Sequence, residues 1–323
     1  MKLTLATRGS PLARAQSAWV GKRLEELHPG LEVELLFIKT SGDRFSLAAP
    51  EAPPEASGDP NVKAMFVKEI EEALLRGEAD FGVHSAKDLP ADLPEGLCIA
   101  CYPPREDPRD AFIPGSCRTL AEVGKGARLG TASLRRRIQL SLSRPGLEFV
   151  SLRGNVDTRL RKLREQGLAG LVLAEAGLRR LGLSTLEREP IPEDILVPAP
   201  GQGALALEAR SDRAEVRSLL EALSDEKTRT EVEVERAFLK AVGGGCSTPL
   251  GALARAEGSA GRLPTDSGSG TPSPEGSVVR LSVFWSRRDG SKPVRLSGSA
   301  RRRPEELSSL VEGLAGRLKS ETA

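Results

Sequence analysis

Short apolar runs of strand length alternate with stretches of helical spacing from Lys2 to Leu173, which restricts the chain to α/β architecture with mainly parallel sheets. Lys2 to Thr7 reads as a strand, Pro11 to Leu27 as a helix with proline near its start, Leu31 to Thr40 as a strand, and Phe66 to Arg76 as a helix ended by Gly77. Ala79 to His84 and Leu97 to Tyr102 are the next strands. After Pro103-Pro104 the pattern starts again. Strands at Asp110 to Ile113, Ala127 to Gly130, Phe149 to Leu152 and Gly170 to Leu173 are separated by helices, so a second α/β unit begins near residue 104. A proline-rich strip, Pro192 to Pro200, marks a further boundary. Beyond it lie a strand at Gly203 to Glu208, helices at Arg213 to Leu223 and Glu226 to Val242, strands at Leu250 to Ala256, Val278 to Trp285 and Val294 to Ser299, and a helix at Pro304 to Lys319. Strands closed by one helix predict a small α+β unit at the C-terminal end. Two stretches, Ser46 to Asn61 and Glu257 to Ser277, are rich in small, proline and polar residues and read as loops.

The 323 residues are enough for two or three domains, and 39% hydrophobic content supplies ordinary cores. Aromatic residues make up only 3%, so aliphatic packing dominates and stacking platforms for single-stranded nucleic acid are scarce. A formal net charge of +2 argues against a general nucleic-acid or membrane binder. No apolar stretch is long enough to span a bilayer, and the N-terminus enters a strand with no signal-peptide core. Four cysteines (Cys98, Cys101, Cys117 and Cys246) make no disulfide framework in a chain this long, which predicts a reducing, cytoplasmic setting.

Against that near-neutral background, arginine is concentrated at two strand-to-helix junctions. One reads Gly130-Thr131-Ala132-Ser133-Leu134-Arg135-Arg136-Arg137, the other Leu152-Arg153-Gly154-Asn155-Val156-Asp157-Thr158-Arg159. A strand, a hydroxyl-bearing turn and a helix start aim backbone N–H groups at an anion, and guanidinium forks beside them suit carboxylate or phosphate. Arg8, Ser10 and Pro11 form a third turn of this kind. A solvated helix face is the competing reading of any single arginine run. No Gly-x-x-x-x-Gly-Lys-Ser/Thr loop occurs, so a nucleoside triphosphate is not indicated.

Only two histidines are present, His28 at a helix end, read as a surface residue, and His84 at a strand end; a histidine-based metal site or hydrolase triad is therefore not expected. Acid–base work falls to a carboxylate or lysine. Asp88 follows the buried-looking strand Phe81-Gly82-Val83-His84 and sits at its C-terminal end, where ligands collect in open α/β sheets. The residues leave two readings open, a cleft carboxylate or a cap of the Leu-Pro turn. Lys87 beside it either binds a carboxylate or faces solvent. Cys246 lies in Gly243-Gly244-Gly245-Cys246-Ser247-Thr248-Pro249, accessible on a glycine turn, and is a nucleophile or inert packing. Cys98 and Cys101 point to opposite faces of one strand, which disfavours metal binding by that pair.

These segments together resemble the porphobilinogen deaminase (hydroxymethylbilane synthase) family. The likeness rests on Ala6-Thr7-Arg8-Gly9-Ser10-Pro11-Leu12-Ala13, Phe66-Val67-Lys68-Glu69, His84-Ser85-Ala86-Lys87-Asp88-Leu89-Pro90 and Arg105-Glu106-Asp107-Pro108-Arg109-Asp110-Ala111-Phe112. It continues through the two arginine blocks, Leu173 to Gly182, Pro200-Gly201-Gln202-Gly203-Ala204 and the glycine-cysteine turn. The resemblance implies two doubly wound lobes like those of periplasmic binding proteins, with a cleft between them, and a small α+β C-terminal domain. It places domain 1 at 1–103 with 203–221, domain 2 at 104–202 and domain 3, bearing the cysteine, at 222–323.

The implied reaction is a transferase reaction that joins four porphobilinogen molecules head to tail with loss of ammonia and then releases the linear tetrapyrrole by hydrolysis. The chain grows on a dipyrromethane cofactor, one per polypeptide, held by a thioether at Cys246. Asp88 is then the catalytic carboxylate, stabilising the cation left when ammonia departs. Lys87, Ser85, Thr131, Ser133, Arg135 and Arg136 are implied to hold the cofactor. Arg8, Ser10, Arg153, Arg159, Arg180 and Lys63 are implied to bind the acetate and propionate groups of substrate. Porphobilinogen is the implied partner, with no nucleic acid, membrane or metal, a monomeric chain, and hand-over of product to the next pathway enzyme. Two positions depart from the family pattern: Ala86, and Asp157, a negative charge beside Arg153 and Arg159. A non-catalytic anion-binding protein with the same cleft is the alternative from another class, and it leaves the glycine-flanked cysteine without a purpose.

Overall fold

The computed structural model describes residues 1–41, 64–243, 248–257 and 277–322. Lys63 and Cys246 lie outside the described residues, as do the Ser46 to Asn61 stretch and all but the two end residues of Glu257 to Ser277.

In chain order the first elements are β1 (Lys2–Arg8), α1 (Pro11–Leu27), β2 (Glu32–Ile38), α2 (Lys68–Leu75), β3 (Phe81–Ser85) and β4 (Leu97–Cys101). There follow β5 (Asp110–Pro114), β6 (Arg128–Gly130), α3 (Leu134–Ser143), β7 (Glu148–Val150), α4 (Val156–Glu165), β8 (Gly170–Ala174), α5 (Glu175–Arg180) and β9 (Glu189–Pro190). The last are β10 (Leu205–Arg210), α6 (Ala214–Glu221), α7 (Glu226–Ala241), β11 (Gly251–Glu257), β12 (Val278–Trp285), β13 (Val294–Arg301) and α8 (Pro304–Thr322).

These strands form two five-stranded sheets and one of three strands. The first sheet has the order β2-β1-β3-β10-β4; β1 runs parallel to β2 and β3, whereas β10 is antiparallel to both β3 and β4. The second has the order β7-β6-β8-β5-β9, with β6 parallel to its neighbours and β5 antiparallel to β8 and β9. Both sheets are thus mixed where the alternation predicted mainly parallel ones. In each sheet the strand next to the crossing between units, β5 or β10, enters from the other unit and runs against its neighbours. Helices cover both sheets, so each unit is a doubly wound lobe.

Burial explains the element choice. Leu3 and Leu5 of β1 are sealed under Val20 and Leu24 of α1, which recur four residues apart on one helical face. Ser10 caps α1 by accepting the Ala13 N–H at 3.3 Å, and Pro11 opens the first turn. The third unit is an antiparallel sheet, β11-β12-β13, whose inner residues Val279, Leu281 and Val283 alternate along β12 and pack with Phe238 of α7 and Leu314 of α8.

Arg105 ties the crossing strands together. Its guanidinium donates to both Glu235 oxygens at 2.8 and 3.0 Å, to Glu231 at 3.3 Å and to the Gln202 carbonyl at 3.0 Å. Glu235 also accepts the N–H groups of Gly201 at 2.6 Å and Ala254 at 2.8 Å. His28, read as a surface residue, instead caps α1 with its ring Nε2 3.0 Å from the Leu219 carbonyl of α6. His84 is buried with Nε2 3.0 Å from Glu208 Oε2, and Cys98, Cys101 and Cys117 are free thiols. Among the described residues no helix is long and apolar enough to cross a membrane, and no group of His, Cys, Asp and Glu is arranged to hold a metal.

Candidate active site

A cavity of about 870 Å³ lies between the two lobes. That is near the upper end of the roughly 300–1,000 Å³ typical of small-molecule pockets. Among its described lining residues are nine cationic side chains (Arg8, Lys39, Lys87, Arg136, Arg153, Arg159, Arg161, Lys162 and Arg180) and two carboxylates, Asp88 and Asp157. Within a chain of net charge +2, the described lining residues therefore carry seven more cationic than anionic side chains, nine against two. A concave, cation-lined site of this kind focuses potential on an anion carrying several charges.

Asp88 closes a short 3-10 turn, Ala86–Asp88, at the C-terminal end of β3. The Ala86 N–H donates to the Ala204 carbonyl at 3.0 Å, which fixes the turn to the loop that precedes β10. Gly201 (φ +72°) packs against the back of the same turn, where an added Cβ would lie 2.9 Å from the Ala86 carbonyl carbon. Gly203 (φ +90°) leaves even less room, with a Cβ position 2.4 Å from the Glu106 carbonyl oxygen. Gly201 therefore backs the Asp88 turn, while Gly203 packs against Glu106 and Pro108. Beside Asp88, burial pushes the Lys87 ammonium down to about 8, with Asp88 opposing that shift and Arg136 of the other lobe reinforcing it.

The opposite wall carries the arginines. Asp110, fully buried at the start of β5, accepts from Arg135 Nη1 at 2.8 Å, Arg136 Nε at 2.8 Å and Gln202 Nε2 at 3.1 Å. Burial alone would raise the Asp110 carboxyl, yet the two guanidiniums hold it well below the usual carboxylate range. Arg136 also donates to the Val172 carbonyl at 3.0 Å and lines the cavity. Arg135 turns inward to the Val197 carbonyl at 2.7 Å and does not line it. Nor do Thr131 and Ser133: the Thr131 hydroxyl accepts the Ser133 N–H at 3.2 Å, and the Ser133 hydroxyl caps α3 through the Arg136 N–H at 3.4 Å.

Among the described residues, the remaining sequence candidates Arg8, Ser10, Ser85, Arg153, Arg159 and Arg180 line the cavity. Arg8 stacks on Phe66, 4.2 Å from the ring centroid, and Ser10 stands at the start of α1. Ser85 accepts from Gln16 Nε2 at 3.2 Å. Arg159 donates to the Gly154 carbonyl at 2.8 Å, and burial with the neighbouring Arg136 and Arg153 charges lowers it to about 10. Arg180 donates to the Gly203 carbonyl at 2.6 Å, and burial likewise lowers it to about 10. Asp157 sits in the first turn of α4, where a negative charge complements the helix dipole.

Gln16, Lys39, Arg161 and Lys162 also line the cavity and were not singled out by the sequence; Phe66, Asn155 and Thr158 line it as well and stood in the sequence only as members of longer motifs. Arg161 and Lys162 continue the helix opened by Asn155, and in sequence they look like its solvated face. Lys162 lies three residues beyond Arg159, one helical turn, which was the available signal.

The family model described as "Porphobilinogen deaminase, dipyromethane cofactor binding domain" matches residues 3–218, and "Porphobilinogen deaminase, C-terminal domain" matches residues 229–307. Curated relatives named porphobilinogen deaminase include one from Syntrophus aciditrophicus, 48% identical over 256 residues (79% of this chain, 81% of the relative). Another from Syntrophotalea carbinolica is 50% identical over 252 residues, 78% of each chain. A third from Trichlorobacter lovleyi is 47% identical over 300 residues, 92% of this chain and 88% of the relative. A solved structure of the methionine binding protein MetQ aligns at a TM-score of 0.42 and 14% identity over 71% of this chain and 92% of that one, too distant to carry an argument.

Proposed function

The chain belongs to the porphobilinogen deaminase family, and from that premise we propose which of its residues bind, hold and transform the substrate. The activity is tetrapyrrole assembly, a transferase reaction in which porphobilinogen units are joined on a dipyrromethane cofactor.

The cleft suits that group on the chemistry of its donors. Each ring of a dipyrromethane carries an acetate and a propionate, and the cavity offers nine cationic side chains against two carboxylates. Arg136 and Lys87 would hold those carboxylates, with Ser85 adding a hydroxyl and Cys246 making the thioether. When bound, the cofactor supplies the pyrrole carbon onto which new units are added. Arg8, Ser10, Arg153, Arg159 and Arg180 bind the side chains of incoming substrate, and Lys63 adds a further cation there. Arg135, Thr131 and Ser133 act on the same ligand by fixing α3 and Arg136. Domain 1 is 1–103 with 203–221, domain 2 is 104–202 and domain 3 is 222–323. The chain works as a monomer and passes the linear tetrapyrrole to the enzyme that next consumes it.

Asp88 is the catalytic residue. Its carboxylate accepts the pyrrole N–H groups, and when the protonated amino group of the aminomethyl substituent leaves as ammonia, its methylene carbon staying on the ring, Asp88 stabilises the positive charge that develops there. Opposite charges about 4 Å apart attract by about 4 kcal/mol at the effective dielectric of a protein site, against about 1 kcal/mol in water. The difference corresponds to roughly a hundredfold in rate. The observation that carries this reading is a carboxylate held on a glycine-backed turn, facing a crevice otherwise dominated by arginine and lysine. Asp88→Ala is the test: turnover at saturating porphobilinogen should fall by at least roughly a hundredfold while the circular dichroism spectrum stays that of the parent. Near-normal turnover would remove Asp88 from the role.

A further inference from the structure

The third domain stands behind both walls of the cleft, with one arginine at each. On the side of Asp88, Arg236 of α7 donates through Nη2 to the carbonyls of Pro90 at 2.8 Å and Ala91 at 3.1 Å. Those carbonyls follow Asp88 by two and three residues, and the intervening Leu89 is buried with its N–H turned back on Ala86. Glu235, the preceding residue of α7, holds Arg105 and the Gly201 N–H, so the helix carries both the Asp88 turn and its glycine backing.

On the other side, Arg295 of β13 donates to the carbonyls of Asp194 at 2.8 Å and Ile195 at 2.7 Å and to Gln139 Oε1 at 3.0 Å. Its guanidinium also lies over Phe284, 5.2 Å from the ring centroid. From Gln139 a continuous chain of buried bonds runs to the cleft. Gln139 exchanges two bonds with the Val197 backbone at 2.9 and 3.1 Å, the Val197 carbonyl accepts from Arg135, and Arg135 shares Asp110 with Arg136. Ile138, Val197, Leu253 and Phe284 seal this contact in one apolar cluster.

We infer that Arg236 and Arg295 are positioning residues that brace the Asp88 turn and the Arg136 helix from behind, so that the third domain sets the span across which carboxylate and guanidinium act on one substrate. Neither residue lines the cleft. They act through Pro90 and Ala91 on one wall and through Gln139 and Arg135 on the other. The inference rests on the roles proposed for Asp88 and Arg136. Displacement of a reacting group by about 1 Å costs up to roughly a hundredfold in rate, and binding by the remaining cations is affected far less.

The test uses the full-length, pigment-loaded enzyme. Arg236→Leu and Arg295→Leu should retain the mass of one dipyrromethane and a parental circular dichroism spectrum. Their kcat should fall about tenfold or more, with KM changed less than about threefold. The double variant should be no more than about threefold slower than the slower single one, because a brace loosened at either end no longer sets the span. Arg236→Lys and Arg295→Lys keep a donor near the same carbonyls and should recover most of the lost rate; they are read alone where a leucine variant does not fold. Parental kcat in folded, loaded leucine variants, or losses that multiply in the double variant, would overturn the inference. A parent enzyme without the pigment mass would instead overturn the reading beneath it.

Discussion

Asp110→Asn perturbs the wall of the cleft at its most connected point. The parent carboxylate is fully buried and neutralises two guanidiniums, Arg135 and Arg136, each only 6% exposed. It accepts one bond from Arg135, contacts of 2.8 and 2.7 Å from Arg136 Nε and Nη2, and one from Gln202. Asparagine keeps the shape but turns an NH₂ group toward donors and leaves two buried cations without a counter-charge. Breaking a buried pair from one side costs about 3–5 kcal/mol. Because burial opposed by the arginines leaves the parent carboxyl below its ordinary value of 3.8, its contribution is present above that value and disappears only as the pH falls below it. The deficit of the variant should therefore be constant from pH 5 to pH 8. Urea unfolding followed by circular dichroism is the assay; at a slope of about 3 kcal/mol per molar, the midpoint should move down by about 1 M or more. The loaded fraction seen by mass spectrometry should fall with it, since Arg136 loses its anchor. A deficit below about 1 kcal/mol, or one that grows across that pH range, would refute the reasoning.

Burial, then the nearby Glu208, raises the Glu71 carboxyl to about 7, so ionisation of Glu71 works against the fold as the pH climbs from its ordinary 4.5 through 7. Glu71→Gln should accordingly stabilise the protein at pH 8 by up to about 3 kcal/mol and by little at pH 4; equal effects in thermal melts at both would contradict this. Gly203→Ala forces a Cβ to 2.4 Å from the Glu106 carbonyl at φ +90° and should cost about 1–3 kcal/mol. An unchanged melting temperature would show that the loop behind Asp88 yields freely. Arg135→Met and Arg136→Met should separate: both lower the urea midpoint, but with Arg136 lining the cleft and Arg135 not, KM should rise more for Arg136→Met. Equal KM values in the two variants would contradict the assignment.

Much of the scaffold could be read from periodicity alone. Pro11 to Leu27 is a helix with the bounds its spacing indicates, and Val278 to Trp285 is a strand with both ends as expected. Sheet direction was not legible, because β10 belongs with β3 and β4 through pairing across more than a hundred residues, which no local pattern records. At the site, the arginine blocks and Asp88 announced themselves by their place at strand-to-helix turns. What remained hidden was the division of labour between adjacent arginines. Arg135 and Arg136 are equivalent in the sequence, yet one faces the interior and the other the cleft, a distinction set by Asp110 and the Val197 carbonyl. Asp110 itself read only as the first residue of a strand, since its three partners come from two distant segments. Arg236 and Arg295 gave no signal, because their hydrogen-bond acceptors, the Gln139 side chain apart, are backbone carbonyls in loops.

Intact-mass spectrometry of the active enzyme and of Cys246→Ser tests the central claim most directly. The parent should weigh more than its 323-residue sequence by one dipyrromethane, and the serine variant should have the mass of the bare polypeptide and no turnover. An active parent at the bare mass, or a serine variant that keeps the added mass, would contradict a tetrapyrrole grown from sulfur in the arginine-lined cleft.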